Sequence, residues 1–220
     1  MSYLPCVEIE TNNDVDASVI WLHGLGANGH DFEPIIPELN LPSDSAIRFV
    51  FPHAPSIPVT INAGMVMPAW YDIVDMSMHR KVDNEQITTS ATRINALVER
   101  EIERGVKSNR IVLAGFSQGG AIAYQVALTC GKPLAGLLAL STYLATYETI
   151  SPDPHNRKLA ILVCHGSYDM VVPEFLGQHA VKTLKTLGYN PDYKSYPMQH
   201  SVCAEEIIDI SKWLQQVLGL

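Results

Sequence analysis

Short apolar runs alternate with longer amphipathic ones along this chain. CVEIE (6–10), SVIWLH (18–23), IRFVF (47–51), RIVLAG (110–115), AGLLALS (135–141), LAILVCHG (159–166) and DYKSYP (192–197) each predict a strand. The central runs are almost continuously apolar, the mark of strands covered on both faces. Between them the spacing becomes helical. Residues 84–104 predict a helix capped by Asp83, with Gln86 three residues on completing a box-like start and Gly105 ending it. Residues 118–129 predict a second helix. A third has Pro173 at its first position and runs to Gly188. A fourth carries Ile207, Ile210, Trp213, Leu214 and Val217 on one face before Gly219. Strands alternating with helices predict an α/β fold, a mostly parallel central sheet with helices on both faces, as a single domain over 1–220.

The stretch HAPSIPVTINAGMVMPAWYDIVDMSMHRK (53–81) fits neither period. It holds three prolines and four of the seven methionines, and so reads as a long irregular segment. Such a segment inside a compact domain predicts a lid-like loop, the plainer alternative being a loop that covers a sheet edge. Thioethers repack easily around apolar ligands, which makes Met65, Met67 and Trp70 the candidate substrate-binding residues.

Chemistry enters where RIVLAG breaks into Gly115-Phe116-Ser117-Gln118-Gly119. A serine between glycines, after a buried strand and before a helix, has the setting of a G-x-S-x-G nucleophile turn. Neighbours without Cβ atoms let strand and helix approach while the serine is lifted clear of the sheet. A serine hydroxyl needs a base, and the base needs an orienting acid, in the chain order Ser, acid, His. Asp153, Glu148, Asp169 and Glu174 follow Ser117. Asp169 stands just past the carboxyl end of an apolar strand, where catalytic groups collect in parallel sheets, whereas Asp153 lies between two prolines in a solvated loop. His179 falls in mid-helix. His200 follows the last strand on a loop and is the candidate base. The N–H of Gln118 is one candidate oxyanion donor, and that of Leu25, in the Gly-rich turn after VIWLH, is the second. His23 and His30 precede the serine and read as loop-ordering residues.

A net charge of −8 argues against nucleic acid and acidic membranes as partners. No apolar run reaches the length of about 20 residues that a bilayer span needs, and the first residues show no secretory pattern. Four cysteines without short spacings predict free thiols, a cytoplasmic protein, and neither a metal site nor an organic cofactor. The expected partner is a small-molecule ester or acyl substrate, with the chain a monomer or a homodimer formed through the apolar 53–81 segment.

LHGLGANGHDF, FPHAP, MPAWYDI, GFSQGGAIA, HGSYDMVVP and YPMQHSV, in this order from about residue 17 onward, resemble the acyl-protein thioesterase and phospholipase/carboxylesterase family of α/β-hydrolases. The resemblance implies the α/β-hydrolase fold, the triad Ser117, Asp169 and His200, and an oxyanion hole from the Leu25 and Gln118 amides. It also implies that Trp70, Tyr71 and Asp72 flank the acyl site, with MPAWYD closer to the bacterial carboxylesterase branch. The expected activity is serine carboxylesterase. The alternatives are a lysophospholipase or acyl-protein thioesterase acting on long acyl chains, and a non-catalytic acyl-ligand binder.

Overall fold

A computed structural model describes residues 3–75 and 81–220. Of the stretch expected to form a lid, residues 76–80 lie outside the described residues. Strands β1 (Cys6–Glu10), β2 (Ala17–Leu22), β3 (Ile47–Pro52), β6 (Ile111–Phe116), β7 (Gly136–Leu140), β8 (Ala160–Gly166) and β9 (Asp192–Tyr196) form one sheet in the order β1-β3-β2-β6-β7-β8-β9. All neighbours run parallel except β1, which pairs antiparallel with β3 at the edge. Every expected strand forms within one or two residues of its predicted bounds.

Period-two alternation sorts the strand side chains between two cores. Ile20, Leu22, Ile111, Leu113, Leu137, Ile161 and Val163 face helices α2 (Asn84–Glu103), α3 (Gln118–Thr129) and α4 (Glu174–Thr186). Val19, Trp21, Val112, Leu138 and Leu162 face the short α1 (Ile35–Glu38) and the C-terminal α5 (Ala204–Leu218). Helix α3 is buried on nearly every side, which explains why its sequence is apolar all round and not striped.

Three local expectations differ from what forms. Asp83 does cap α2, accepting the Gln86 N–H at 3.0 Å, but the box stays open. The Asp83 N–H already donates to the Asp72 carbonyl, so Gln86 Oε1 accepts from the Asp72 N–H instead. Pro173 stands one position before α4 with an extended ψ of 138°. Part of the supposedly irregular 53–81 stretch is a hairpin, β4 (Ser56–Val59) with β5 (Met65–Pro68), joined by a turn that uses left-handed Ala63 and Gly64. Its pairing places Pro58 opposite Val66 and Pro68 opposite Ser56. These pairs are two residues apart, so both prolines take positions whose missing N–H would point away from the partner strand.

The chain runs outward from β2 to β3, then crosses back so that β6 lies on the other side of β2. Ligands collect at such a switch point, beyond the carboxyl ends of the strands. Residues 23–26 leave β2 there, and Ser117 leaves β6.

Candidate active site

Ser117 sits between β6 and α3 with φ 53° and ψ −120°, a backbone state that few non-glycine residues adopt. The fold over-determines it. Its N–H donates to Leu140 O at 2.9 Å, and its carbonyl accepts from Gly120 N–H and from Thr142 Oγ1 at 2.6 Å. A Cβ on Gly115 would stand 2.5 Å from Gly119 O, and one on Gly119 would stand 2.5 Å from the carbonyl oxygens of Leu22 and His23. Close approach of three backbones therefore requires both glycines. The hydroxyl of Ser117 makes no hydrogen bond among the described residues and stands at the positive end of α3.

Asp169 lies in the turn after β8, only 4% exposed. Its Oδ1 accepts the N–H groups of Val171 at 2.9 Å and Val172 at 2.8 Å, and its Oδ2 lies 2.6 Å from His200 Nδ1. Burial alone would raise its pKa, but the His200 hydrogen bond and these two amides hold the carboxyl below its ordinary range. An ionised Asp169 accepts the Nδ1–H of His200, which leaves Nε2 as the basic nitrogen. The His200 ring lies 4.7 Å from the ring of Phe116, the residue before Ser117. Three segments far apart in sequence thus meet at one edge of the sheet.

Gln118 begins α3, and neither its N–H nor that of Leu25 has an acceptor among the described residues. The loop carrying Leu25 lies over the serine: a Cβ on Gly24 would stand 3.5 Å from Ser117 Cβ. His23 is buried at 1% exposure, with Nδ1 2.7 Å from Gly24 O and Nε2 accepting Ala54 N–H at 3.1 Å. His30 is exposed and pairs with Glu33.

The three candidate substrate-binding residues are placed very differently. Trp70 is only 1% exposed, its indole N–H donating to His23 O at 2.8 Å, so it sits behind the loop and not on an open surface. Met67 is partly buried against Gly26, its sulfur accepting from Asn62. Met65 is 64% exposed on the hairpin. Tyr168 and Met170, on either side of Asp169, are also exposed. Sequence reading passed over Thr142 and His165. Thr142 follows a strand end, a position signal shared with Asp169. His165 Nε2 donates to Val172 O at 2.7 Å and lies 3.7 Å from Asp169 Oδ2, and burial holds its pKa down.

Helix α5 anchors the His200 loop, and its Glu206 is fully buried with neither carboxylate oxygen hydrogen-bonded among the described residues. Burial pushes its pKa up to about 8; the approach of the Cys203 amide opposes the rise and Asp209 adds to it. A carboxyl raised on folding favours the fold while protonated, so its contribution is lost as pH climbs from 4.5 through about 8. Glu206→Gln is expected to raise stability by on the order of 2–4 kcal/mol at alkaline pH and much less at low pH. Melting curves of both proteins between about pH 5 and 9 check this, and a gain independent of pH would contradict it.

The phospholipase/carboxylesterase family matches residues 5–218. Acyl-protein thioesterase 1 of Gibberella zeae is 37% identical over 213 residues, spanning 92% of this chain and 91% of its own length. The protein of the same name from Neurospora crassa is 40% identical over 213 residues, spanning 92% and 87%. Among solved structures, Zea mays acyl-protein thioesterase 2 superposes with a TM-score of 0.87 at 30% identity, over 99% of this chain and 100% of that one. The Bacillus cereus carboxylesterase shares the fold, with a TM-score of 0.80 at 15% identity over 97% and 94%. No described helix is long and apolar enough to cross a membrane. The chain belongs to the phospholipase/carboxylesterase family of α/β-hydrolases and is a serine hydrolase.

Proposed function

We propose that the chain hydrolyses carboxylic acyl esters through a covalent acyl intermediate on Ser117. Ser117 Oγ attacks the acyl carbonyl carbon while His200 Nε2 takes the hydroxyl proton. Asp169 holds the imidazole by its Nδ1–H and stabilises the imidazolium that forms. The Leu25 and Gln118 amides hold the tetrahedral oxyanion, a contribution of about 3 kcal/mol per donor. Collapse breaks the bond to the leaving alcohol or thiol, which departs with the proton from His200. Water, deprotonated by the same nitrogen, then attacks the acyl carbon, releases the acid and restores the serine. No metal or cofactor enters these steps. The 2.6 Å Asp169–His200 pair, beside a serine held at φ 53°, carries the proposal.

A thioester fits the same steps, and the names of the fungal relatives favour it as the leaving-group class. Exposed Met65, Tyr168 and Met170 offer an apolar rim to a long acyl chain. With Cys6, Cys130, Cys164 and Cys203 all free thiols, we place the enzyme in a reducing cytoplasm. Matched oxygen esters and thioesters from acetyl to palmitoyl test substrate class. Each buried methylene contributes about 0.8 kcal/mol, so kcat/KM is expected to rise beyond about ten carbons with both leaving groups. A maximum at acetyl would contradict the long-chain reading and leave a small-ester hydrolase.

A further inference from the structure

We propose that His23, Trp70 and the Gln118 side chain form a brace that aims the Leu25 N–H at the oxyanion, making His23 and Trp70 positioning residues for the reaction proposed above. The geometry starts from peptide planarity. In a trans peptide the C=O and the following N–H point in opposite directions, so holding one aims the other. The Gly24 carbonyl shares its plane with the Leu25 N–H and is held by His23 Nδ1 at 2.7 Å. The preceding carbonyl, that of His23, is held by the Trp70 indole N–H at 2.8 Å. Side chains therefore pin two successive peptide planes of the loop.

The imidazole is suited to this role because its tautomer is determined by its surroundings. Nε2 accepts the Ala54 N–H at 3.1 Å, so the proton belongs on Nδ1, where it donates to Gly24 O. Burial keeps His23 neutral by holding its pKa down, although the Gly24 hydrogen bond opposes this.

Trp70 is fixed in turn by the residue that supplies the other proposed oxyanion donor. Gln118 Oε1 accepts the Trp70 backbone N–H at 2.9 Å, and Gln118 Nε2 donates to Tyr71 O at 2.6 Å. This carboxamide is 1% exposed and pairs with the 70–71 backbone much as a neighbouring strand would. Ser90 Oγ holds the Trp70 carbonyl, and Gly26 N–H donates to Pro68 O at 2.8 Å, so segment 68–71 grips the loop from behind. The two proposed donors, on separate loops, are joined through His23, Trp70 and the Gln118 side chain, all three buried. Rigid placement of this kind is what oxyanion stabilisation requires, since donors that must reorganise in the transition state lose most of their effect.

The test measures ester hydrolysis, inhibition by a trifluoromethyl ketone whose serine adduct carries an oxyanion, and melting temperature, on the whole chain. His23→Leu is expected to lower kcat about 100-fold with KM changed less than about threefold, and to weaken the ketone by a similar factor. His23→Asn keeps an N–H near the Nδ1 position and is expected to recover about tenfold of that loss. Trp70→Phe removes the donor to His23 O together with part of the buried ring volume and is expected to lower kcat about tenfold; it carries the test if His23→Leu does not fold. Folded His23→Leu and Trp70→Phe variants with kcat within about threefold of the parent would overturn the brace. Equal losses in ground-state affinity and in ketone affinity would overturn it too. If the parent protein forms no ketone adduct at Ser117, the catalytic proposal itself fails, a result distinct from failure of the brace alone.

Discussion

Replacing Ser117 by alanine is expected to lower ester turnover by about 10⁴- to 10⁶-fold while leaving the fold in place. The hydroxyl holds nothing else: it has no hydrogen bond among the described residues, and Leu140, Gly120 and Thr142 secure the backbone of this residue. Alanine inherits the same φ of 53°, so strain neither grows nor disappears, and the melting temperature is expected to stay within a few degrees. Ser117→Gly relieves that conformation and is expected to be more stable than the parent by about 1 kcal/mol, and equally inactive. Steady-state kinetics and thermal melts of both variants check this pair of outcomes. Activity within about tenfold of the parent in either variant would remove Ser117 from the chemistry.

Asp169→Asn is expected to lower kcat by about 10⁴-fold although it changes one atom. The asparagine oxygen can keep the Val171 and Val172 amides that Asp169 Oδ1 accepts. Its NH₂ then faces His200 Nδ1 where Oδ2 now accepts at 2.6 Å. Two donors cannot share that contact, so the imidazole proton moves to Nε2, the nitrogen that must be free to take the serine proton. Stability carries a second signature. A carboxyl whose pKa falls on folding stabilises the fold above its unfolded pKa, and that contribution is lost as pH falls through the folded value. The parent is therefore expected to melt higher than Asp169→Asn at pH 7, with the gap closing below about pH 4. An unchanged gap across that range, or kcat within about tenfold, would contradict the assignment.

Much of the fold was legible because its central strands are buried on both faces and leave uninterrupted apolar runs, RIVLAG and LAILVCHG above all. The strand–turn–helix around Ser117 was legible because its glycines answer to steric demands that any Cβ would violate. The β4–β5 hairpin was hidden by Pro58 and Pro68, whose places in the pairing register only the folded ladder reveals. Trp70 reads among methionines as a ligand surface, yet its indole finds an acceptor at His23 O, 47 residues away in sequence. No local pattern encodes such a bond. The same holds for Gln118, whose motif position announces its backbone N–H but not the carboxamide bonds to residues 70 and 71. MPAWYD resembles the bacterial carboxylesterase branch, while the fungal relatives at 37% and 40% identity carry the thioesterase name, so that short motif does not decide the leaving group.

The most direct measurement is peptide mapping after brief exposure of the whole protein to a fluorophosphonate, run beside Ser117→Ala and Asp169→Asn. One phosphonyl adduct on Ser117 is expected in the parent, none in the alanine variant, and adduct formation slowed by several orders of magnitude in Asp169→Asn. An unmodified parent, or an adduct on any other residue, would contradict a serine nucleophile activated by the His200–Asp169 pair.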